Sequence, residues 1–357
     1  MSLLVPDHSA RFQALVDAAF QCEKDANPDY YAHISPKTER NIYRDTRYNL
    51  DYLCTAYVLH EEKILTDYAA WLYQLLAPIL AERFQYTPEQ TAQYTLEHFE
   101  CIKKAVAQLP EADARAEMLQ LMDKAADAVR EAAAKPLPKV PQMPSPKYED
   151  QICAYMDCLL HKDSRQAMLL VQQFVSSGIP LTDVYVEILA ESMRRVGELW
   201  HTARITVDTE HYCTSVTQMA MAQLYPALFA QKRRGRSILL ACPGTELHEM
   251  GARMVADVFE NDGWDSIYLG AAVPEDAMLD AVREYQPDLI ALSVTMPQHL
   301  LACRDVVLAL RKAFPAAKIA VGGKAFESTD TLWEQWPIDL HAGDARDFLQ
   351  QANALFA

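Results

Sequence analysis

The sequence predicts a multidomain fold: an all-α N-terminal domain, a four-helix bundle, and an α/β domain with a parallel sheet. Three observations predict it. Apolar residues recur at helical spacing as far as residue 230, five prolines interrupt the chain between residues 136 and 146, and strand and helix patterns alternate from Ser237 onward. Such alternation is typical of parallel strands joined by right-handed crossovers.

The proline-rich segment is the clearest domain boundary, because five prolines in eleven positions preclude a helix and favour an extended spacer. The first predicted division is an all-α, tyrosine-rich domain at residues 1–135, followed by a linker at 136–147. The four-helix bundle is predicted at 148–231 and the α/β domain at 232–357. Helices are predicted at 8–22, 38–59, 62–83, 88–108 and 111–134, and in the bundle at 148–161, 163–176, 181–200 and 206–229. Strands are predicted near 237–242, 265–269, 288–293, 317–321 and 338–341.

Composition narrows the class of protein. Half of the 357 residues are hydrophobic, no unbroken apolar run approaches the length of a membrane span, and the start of the chain lacks a secretory pattern. Eight cysteines without C-x-x-C spacing indicate reduced thiols, so we expect a cytoplasmic protein without a membrane partner. The net charge of −16 leads us to expect no direct nucleic-acid partner, because such binding depends on neutralising phosphates.

A first motif lies where the predicted strand 237–242 gives way to a loop and a helix. It reads Glu-Leu-His-Glu-Met-Gly and contains Glu246, His248 and Gly251. Ligands of open α/β sheets bind just outside the carboxyl ends of the strands, and a carboxylate near a histidine can fix its tautomer for metal binding. A surface histidine that caps a helix is the ordinary alternative for an isolated motif of this kind.

The E-x-H-x-x-G pattern resembles the cobalamin-binding signature, more often written D-x-H-x-x-G. The resemblance implies a flavodoxin/Rossmann-like cobalamin-binding domain in which His248 is the lower axial ligand of cobalt. Ser293 and Thr295 follow another predicted strand, and Gly322 and Gly323 follow the next. By the same resemblance, the serine binds the buried base of the cofactor and the paired glycines line the slot for its tail, although the family usually has leucine where Thr295 stands.

A second motif lies in the bundle, where Trp200 and His201 are followed after a short interval by Glu210 and His211. Taken alone, these residues are more typical of packing beside a helix–helix turn. The W-x9-E-H spacing resembles the adenosylcobalamin-dependent photoreceptors, which include light-responsive repressors of carotenoid genes. It implies that Trp200 packs against the 5′-deoxyadenosyl group, that Glu210 and His211 contact or shape its pocket, and that His201 binds cobalt after light removes that group.

The N-terminal domain differs from the winged-helix domain of those repressors. Ten of the 17 tyrosines of the chain lie in its first 94 residues. This domain resembles that of photocobilins, which pair cobalamin with biliverdin, and the resemblance implies a bilin pocket. Arginines suit propionate groups because they pair with carboxylates through two hydrogen bonds. The candidate bilin residues are Arg44, Asp45, Arg47, Tyr48, Tyr52, Asp67, Tyr68 and Trp71. Cys54 and Cys101 are possible thioether sites, and an ordinary helical dimerisation domain is the alternative.

The resemblances together predict a light-sensing signalling protein, not an enzyme, that uses adenosylcobalamin and a biliverdin chromophore. Because no effector pattern follows the α/β domain, we expect its output to be light-dependent homo-oligomer assembly and binding of an unidentified protein effector. One alternative is a corrinoid methyl carrier of a methyltransferase system, in which the cofactor performs the chemistry. Another is a sensor of cobalamin that does not respond to light.

Overall fold

The computed structural model describes residues 10–137, 147–229 and 231–357. The chain divides into two compact units, the first formed by Met1–Pro138 with Ser328–Asp330 and the second by Lys139–Glu327 with Thr331–Ala357. Residues 138–146 of the predicted linker lie outside the described residues. The predicted domain limits therefore stay a prediction, and each unit is described separately.

The described part of the first unit is helical, as predicted. Thr87 shows why a helix begins where the sequence indicates: its hydroxyl accepts the Gln90 N–H at 3.2 Å, and the Gln90 side chain accepts the Thr87 N–H at 2.9 Å. A short helix that the sequence did not indicate buries none of its six residues, so it has no apolar periodicity. The helices are α1 (Ala10–Ala26), α2 (Pro28–His33), α3 (Pro36–Leu59), α4 (Glu62–Phe84), α5 (Pro88–Val106) and α6 (Ala112–Ala133).

Helix α4 is long and apolar enough to meet the length and composition criteria for a membrane span. Its most apolar 18-residue stretch has a mean hydropathy of 1.2, and 39% of that stretch is buried. Leu65 and Tyr73 are among its core residues, and Pro78 lies within it. Core helices of globular proteins meet the same length and composition criteria. These criteria are therefore weak support for a membrane-spanning role of α4.

The second unit begins with the predicted four-helix bundle. A glycine with a positive φ of 92°, Gly178, follows the second helix and permits the turn to the third. The third helix is continuous but contains a π-helical segment, Val184–Leu189, which the sequence did not indicate. The helices are α7 (Glu149–Leu160), α8 (Ser164–Ser176), α9 (Leu181–Asp183, the π segment and Ala190–His201) and α10 (Val207–Ala222), followed by the short α11 (Tyr225–Leu228).

The bundle is followed by a five-stranded parallel sheet with the strand order β2-β1-β3-β4-β5. In this order β2 lies on one side of β1, and β3 and the later strands lie on the other side. The point between β1 and β3 is the topological switch point, where ligands of such folds bind. The strands are β1 (Ser237–Pro243), β2 (Asp265–Val273), β3 (Leu289–Ser293), β4 (Lys318–Gly322) and β5 (Leu340–Ala342). The main helices are α12 (Met250–Asn261), α13 (Glu275–Tyr285), α14 (Leu300–Ala313) and α15 (Ala345–Leu355).

Bundle and sheet domain share a core within the second unit. Met254 and Val258 of α12 are buried in the apolar cluster of the bundle. At the same place, the buried Tyr185 of the π segment donates a hydrogen bond to Asp257 at 2.8 Å. Each fully buried apolar side chain contributes roughly 1.5–3 kcal/mol. This shared core therefore fixes the bundle against the domain that carries the predicted cobalamin motif.

Asp183 connects the start of α9 to the two residues that precede α7 and to α15. Its carboxylate accepts hydrogen bonds from Tyr148 Oη at 2.7 Å, Lys147 Nζ at 2.9 Å and an Arg346 guanidinium nitrogen at 3.0 Å. Burial raises the pKa of Asp183, but the bonds from the tyrosine, lysine and arginine outweigh it and lower the pKa to about 2. The ionised carboxylate therefore stabilises the fold.

We expect Asp183→Ala to lower the free energy of unfolding at pH 7 by about 3 kcal/mol, because it removes a buried charged acceptor from three donors. A carboxyl with a depressed pKa contributes its full stability above its unfolded pKa, and that contribution disappears as the pH falls toward 2. Urea unfolding at pH 7 and pH 3 should show the difference from the parent protein shrinking at the lower pH. Asp280→Ala removes an exposed carboxylate and should change stability by less than about 0.5 kcal/mol. An equal loss in both variants would contradict the assignment.

Candidate functional site

The buried carboxylate of Glu246 joins the two loops that flank the switch point of the sheet. Its Oε1 accepts the backbone N–H of His248 at 2.9 Å, and its Oε2 accepts the backbone N–H groups of Thr295 and Met296 at 2.9 and 2.8 Å. The first of these loops follows β1 and the second follows β3. One side chain thus fixes the geometry of the crevice in which ligands of this fold bind.

The ionised form of Glu246 is strongly favoured. Burial raises its pKa, but hydrogen bonds involving His248, His299 and the backbone of Met296 outweigh burial and hold the pKa well below its ordinary value. Nδ1 of His299 lies 3.1 Å from Oε2, within ion-pair distance. No sequence pattern indicated His299, because its position beside Glu246 depends on how two distant loops meet.

His248 is oriented by the same carboxylate. Its Nδ1 lies 2.7 Å from Glu246 Oε1, while its side chain is 57% exposed. The hydrogen bond to Glu246 raises the pKa of His248, burial lowers it, and the charges of Glu246 and Glu210 raise it further. With Nδ1 held by the carboxylate, Nε2 is the nitrogen that remains for a metal. The role of His248 as a cobalt ligand stays a prediction.

The glycines around this crevice differ in what surrounds them. A Cβ added to Gly251 would meet no protein atom within 4 Å, so the backbone there is open to a ligand. Gly323 has a φ of 104°, and an added Cβ would lie 2.3 Å from the carbonyl oxygen of Val294, so glycine is required. Gly322 pairs with Ser293 across β3 and β4, which places both at the carboxyl edge of the sheet.

The departure from the family pattern at Thr295 has a structural explanation. The contact that Thr295 makes with Glu246 comes from its backbone N–H and not from its side chain. Threonine and leucine supply the same backbone donor, so this hydrogen bond does not distinguish between them. The side chains of Ser293 and Thr295 are both half-buried.

The second motif lies at one end of the bundle. Trp200 and His201, both half-buried, end α9, and Glu210 and His211 lie in the first turns of α10. Glu210 bonds the exposed His211 through Oε2 and accepts the Thr214 hydroxyl at 2.9 Å through Oε1. The two helix ends therefore bring the four predicted residues to the same end of the bundle.

One face of α10 runs from this motif to the histidine loop. Glu210, Thr214 and Gln218 are spaced at four-residue intervals, so they lie on one face of the helix. Gln218 donates to Glu249 Oε1 at 3.3 Å, and Glu249 follows His248 directly. Tyr268 donates to the other oxygen of Glu249 at 3.0 Å. Sequence reasoning missed Thr214, Gln218 and Glu249, whose contacts depend on the docking of the bundle.

The candidate bilin residues form a partial cluster in the first unit. The Tyr52 and Tyr68 rings stack with centroids 3.7 Å apart and planes inclined by 12°, and Trp71 lies 6.1 Å from Tyr68. Burial, followed by the charges of Tyr52 and Asp45, raises the pKa of Tyr68. The structure thus brings Tyr52, Tyr68 and Trp71 together near Asp45.

The charged members of the set lie toward the surface. Arg44 lies 3.7 Å from Asp45, Arg47 lies 4.0 Å from Asp51, and both arginine side chains are at least 40% exposed. Tyr48 and Asp67 are exposed as well. Of the two candidate thioether cysteines, Cys54 and Cys101 are both buried, and burial raises the pKa of each thiol. The bilin pocket stays a prediction.

In the described ranges, no group of three or more histidine, cysteine, aspartate or glutamate side chains is arranged to hold a metal ion. A corrin macrocycle brings its own equatorial nitrogen ligands, so one imidazole from the protein suffices for cobalt. The exposed His248, the carboxylate behind it and the open backbone at Gly251 fit that requirement.

Comparison with known families agrees with this geometry. Residues 153–225 and 236–352 each match a family described as a B12 binding domain. The chain is a B12-binding protein. Its cofactor is a cobalamin or related corrinoid, and the two matches include both sequence motifs.

Two curated relatives come from Myxococcus xanthus. The HTH-type transcriptional repressor CarH is 31% identical over 172 residues, which are 48% of this chain and 56% of CarH. The repressor CarA is 30% identical over 123 residues, which are 34% of this chain and 41% of CarA. The chain thus spans about half the length of these relatives. Over this region, the predicted resemblance to the B12-dependent photoreceptor family is confirmed.

The fold also resembles a solved structure, the monomethylamine corrinoid protein of Methanosarcina barkeri. The two chains are 19% identical with a TM-score of 0.52, over 58% of this chain and 99% of that protein. At this identity the comparison shows the fold alone. It agrees with the predicted order of helical bundle and α/β domain.

The prediction that nucleic acid is not a direct partner is wrong. Both curated relatives are HTH-type transcriptional repressors. The prediction rested on the net charge of −16, which is an average over the chain. DNA binding depends on a local basic surface, so an acidic average does not exclude it. The repressor names agree with the prediction that the chain is not an enzyme.

Proposed function

We propose that the chain is a light-sensing regulator that binds adenosylcobalamin between its bundle and its α/β domain. The observation that carries the proposal is the Glu246 network, which presents His248 at the switch point while a face of α10 reaches the same loop. The relationship to the CarH and CarA repressors supports light as the signal and transcription as the process regulated.

The residues have distinct roles in this proposal. His248 would hold the cobalt through Nε2, because Glu246 holds its Nδ1 at 2.7 Å. Ser293, Gly322 and Gly323 accept the tail of the cofactor at the carboxyl edge of β3 and β4. When bound, adenosylcobalamin supplies a cobalt–carbon bond that visible light breaks.

In this proposal, the end of the bundle would contact the adenosyl group and respond to its loss. Trp200 would pack against the adenosyl group in darkness, and Glu210 and His211 would line its pocket. His201 is the candidate second imidazole for cobalt after illumination. Loss of the adenosyl group would remove a packing partner of Trp200, so the dark and lit states would favour different packing of α9 and α10, as a two-state switch requires. The expected output is a quaternary change.

The first unit is proposed to hold biliverdin. The stacked Tyr52 and Tyr68 with Trp71 supply flat apolar surface, and Arg44 and Arg47 supply partners for propionate groups. An ordinary dimerisation role for the first unit is the competing interpretation, and it predicts that no bilin is retained.

The relationship to regulators further supports a soluble, cytoplasmic protein.

The proposal is tested by absorption spectra of the full chain, loaded in darkness with adenosylcobalamin and biliverdin, before and after green and then red light. We expect the alkylcobalamin bands to disappear under green light and a red-absorbing bilin band to remain. His201→Ala should still bind and photolyse the cofactor, but its lit spectrum should lack the bis-histidine form. His161→Ala, a surface change on the bundle, is the matched control.

The possible outcomes separate the alternatives. Loss of the cobalamin bands without a retained bilin would leave a single-chromophore sensor. An unchanged lit spectrum in His201→Ala would remove His201 from the mechanism. If light changes neither chromophore, the proposal fails, and turnover with methylcobalamin would then favour a corrinoid carrier. A cobalamin-dependent change that is identical in darkness and light would favour a vitamin sensor.

A further inference from the structure

Two cysteines from distant parts of the sequence meet in the first unit. Sγ of Cys22 on α1 lies 3.0 Å from Sγ of Cys101 on α5, although 79 positions separate them in the chain. Cys101 is buried, and Cys22 is half-buried. A disulfide bond is about 2.05 Å long, so the sulfurs need to approach by about 1 Å.

The surroundings of this thiol pair differ from those of an exposed cysteine. Cys153, for example, is exposed, and its thiol donates to Glu149. Burial and the contact with Cys22 raise the pKa of Cys101 to about 12, so Cys101 stays a neutral thiol at pH 7. The half-buried Cys22 is therefore the member of the pair that a small oxidant in solution reaches first.

We propose that Cys22 and Cys101 form a reversible intramolecular disulfide that gives the first unit a response to peroxide. The Cys22 thiol gives up its proton, and its sulfur attacks the terminal oxygen of a hydroperoxide to become a sulfenic acid. The O–O bond breaks, and the departing alkoxide or hydroxide takes up that proton and leaves as an alcohol or water. The sulfur of Cys101 then attacks the sulfur of Cys22, the S–O bond breaks, and the departing hydroxide takes up the Cys101 proton as water. In sum, two thiols are oxidised and one hydroperoxide is reduced.

The disulfide would act on a buried polar connection between three helices. Glu23, the next residue after Cys22, lies 2.7 Å from Nδ1 of His98, and Nε2 of His98 lies 3.3 Å from the Asn49 amide on α3. His98 is one turn before Cys101 on α5. A bond between α1 and α5 at this place fixes the two helices that carry Glu23 and His98. Oxidation is thereby communicated to α3, which carries the predicted residues Tyr48 and Tyr52.

A disulfide of this kind is compatible with reduced thiols at rest. Disulfides in reducing compartments are usually transient and regulatory. The loop that the bond closes is long, and closing a long loop constrains the unfolded chain strongly. The oxidised form should therefore be more resistant to unfolding than the reduced form, and a thiol reductant should restore the original state.

The test uses the full chain, first reduced and then treated in the dark with equimolar hydrogen peroxide. We expect the thiols titrated after unfolding to fall from eight to six, and peptide mapping to join Cys22 to Cys101. The thermal midpoint of the first unit should rise by roughly 10 °C and return with dithiothreitol. Cys22→Ser and Cys101→Ser should each abolish the peptide link and the shift, whereas Cys153→Ser should retain both.

Several results would overturn the proposal. One is a sulfinic acid at Cys22 with Cys101 still reduced, and another is a cross-linked dimer that Cys153→Ser removes. A disulfide that leaves the midpoint unchanged would remove the stabilising effect. Cys22→Ala provides a second variant if the serine proves incompatible with the partly buried site, and far-ultraviolet circular dichroism checks that each variant is helical. None of these readouts depends on either chromophore, so they are separate from the test of light sensing.

Discussion

His248→Ala is expected to weaken retention of cobalamin on the order of 100-fold and to abolish histidine coordination of cobalt. Glu246 holds Nδ1 of His248 at 2.7 Å, so this imidazole presents Nε2 at the mouth of the crevice beside the open backbone of Gly251. Replacement by alanine removes the nitrogen and leaves the buried carboxylate with its backbone donors. The fold should therefore persist while the axial bond is lost.

Equilibrium dialysis with adenosylcobalamin in darkness measures the affinity, and the visible spectrum reports whether a nitrogen base is bound below the cobalt. His161→Ala, in which an exposed bundle histidine is removed, should behave as the parent protein in both measurements. The assignment of His248 fails if its variant keeps parental affinity and a base-on spectrum. Circular dichroism should match the parent in both variants, which separates a lost ligand from a lost fold.

Much of the fold could be predicted because its determinants are local in the sequence. Helix α5 begins at Pro88, where the sequence predicts a helix, and Thr87 and Gln90 exchange hydrogen bonds there. The apolar segments from Ser237 onward form the five predicted strands. Most limits of these elements differ from the predicted ones by no more than three residues, which is the usual uncertainty at helix and strand ends. The prediction of one helix over 206–229 is wrong at its end, because the helix stops at Ala222 and a separate short helix follows at Tyr225–Leu228. Helix α2 was missed because it buries no residue and so carries no periodic signal.

The site was predictable only where a motif exists. Glu246 and His248 are two residues apart, so their pairing could be inferred from the sequence. The contacts of His299 with Glu246 and of Gln218 with Glu249 join residues that lie 53 and 31 positions apart. Such contacts depend on loop conformation and on the docking of the bundle, which no local pattern encodes. The error about nucleic acid has a similar origin, because net charge contains no spatial information.

Glu246→Ala should have the largest effect on stability among changes in the crevice, a loss of about 4 kcal/mol at pH 7. The carboxylate is fully buried and accepts from three backbone N–H groups as well as from an imidazole. Alanine leaves all of these donors without an acceptor and opens a cavity between the loops after β1 and β3. Glu246→Gln keeps the volume but loses the charge, so we expect an intermediate loss.

The pH dependence of the free energy of unfolding shows whether the ionised Glu246 carboxylate stabilises the fold. Because the pKa of Glu246 is lowered in the folded protein, its contribution is complete above its unfolded pKa of about 4.3 and declines as the pH falls below that value. Urea unfolding at pH 7 and pH 3.5 should show the gap between parent and Glu246→Gln narrowing in acid. Glu284→Gln, an exposed change of the same charge on α13, should leave stability within about 0.5 kcal/mol of the parent. Equal stability of Glu246→Gln and the parent at pH 7 would mean that the carboxylate does not hold the two loops together, and the orientation of His248 would then need another cause.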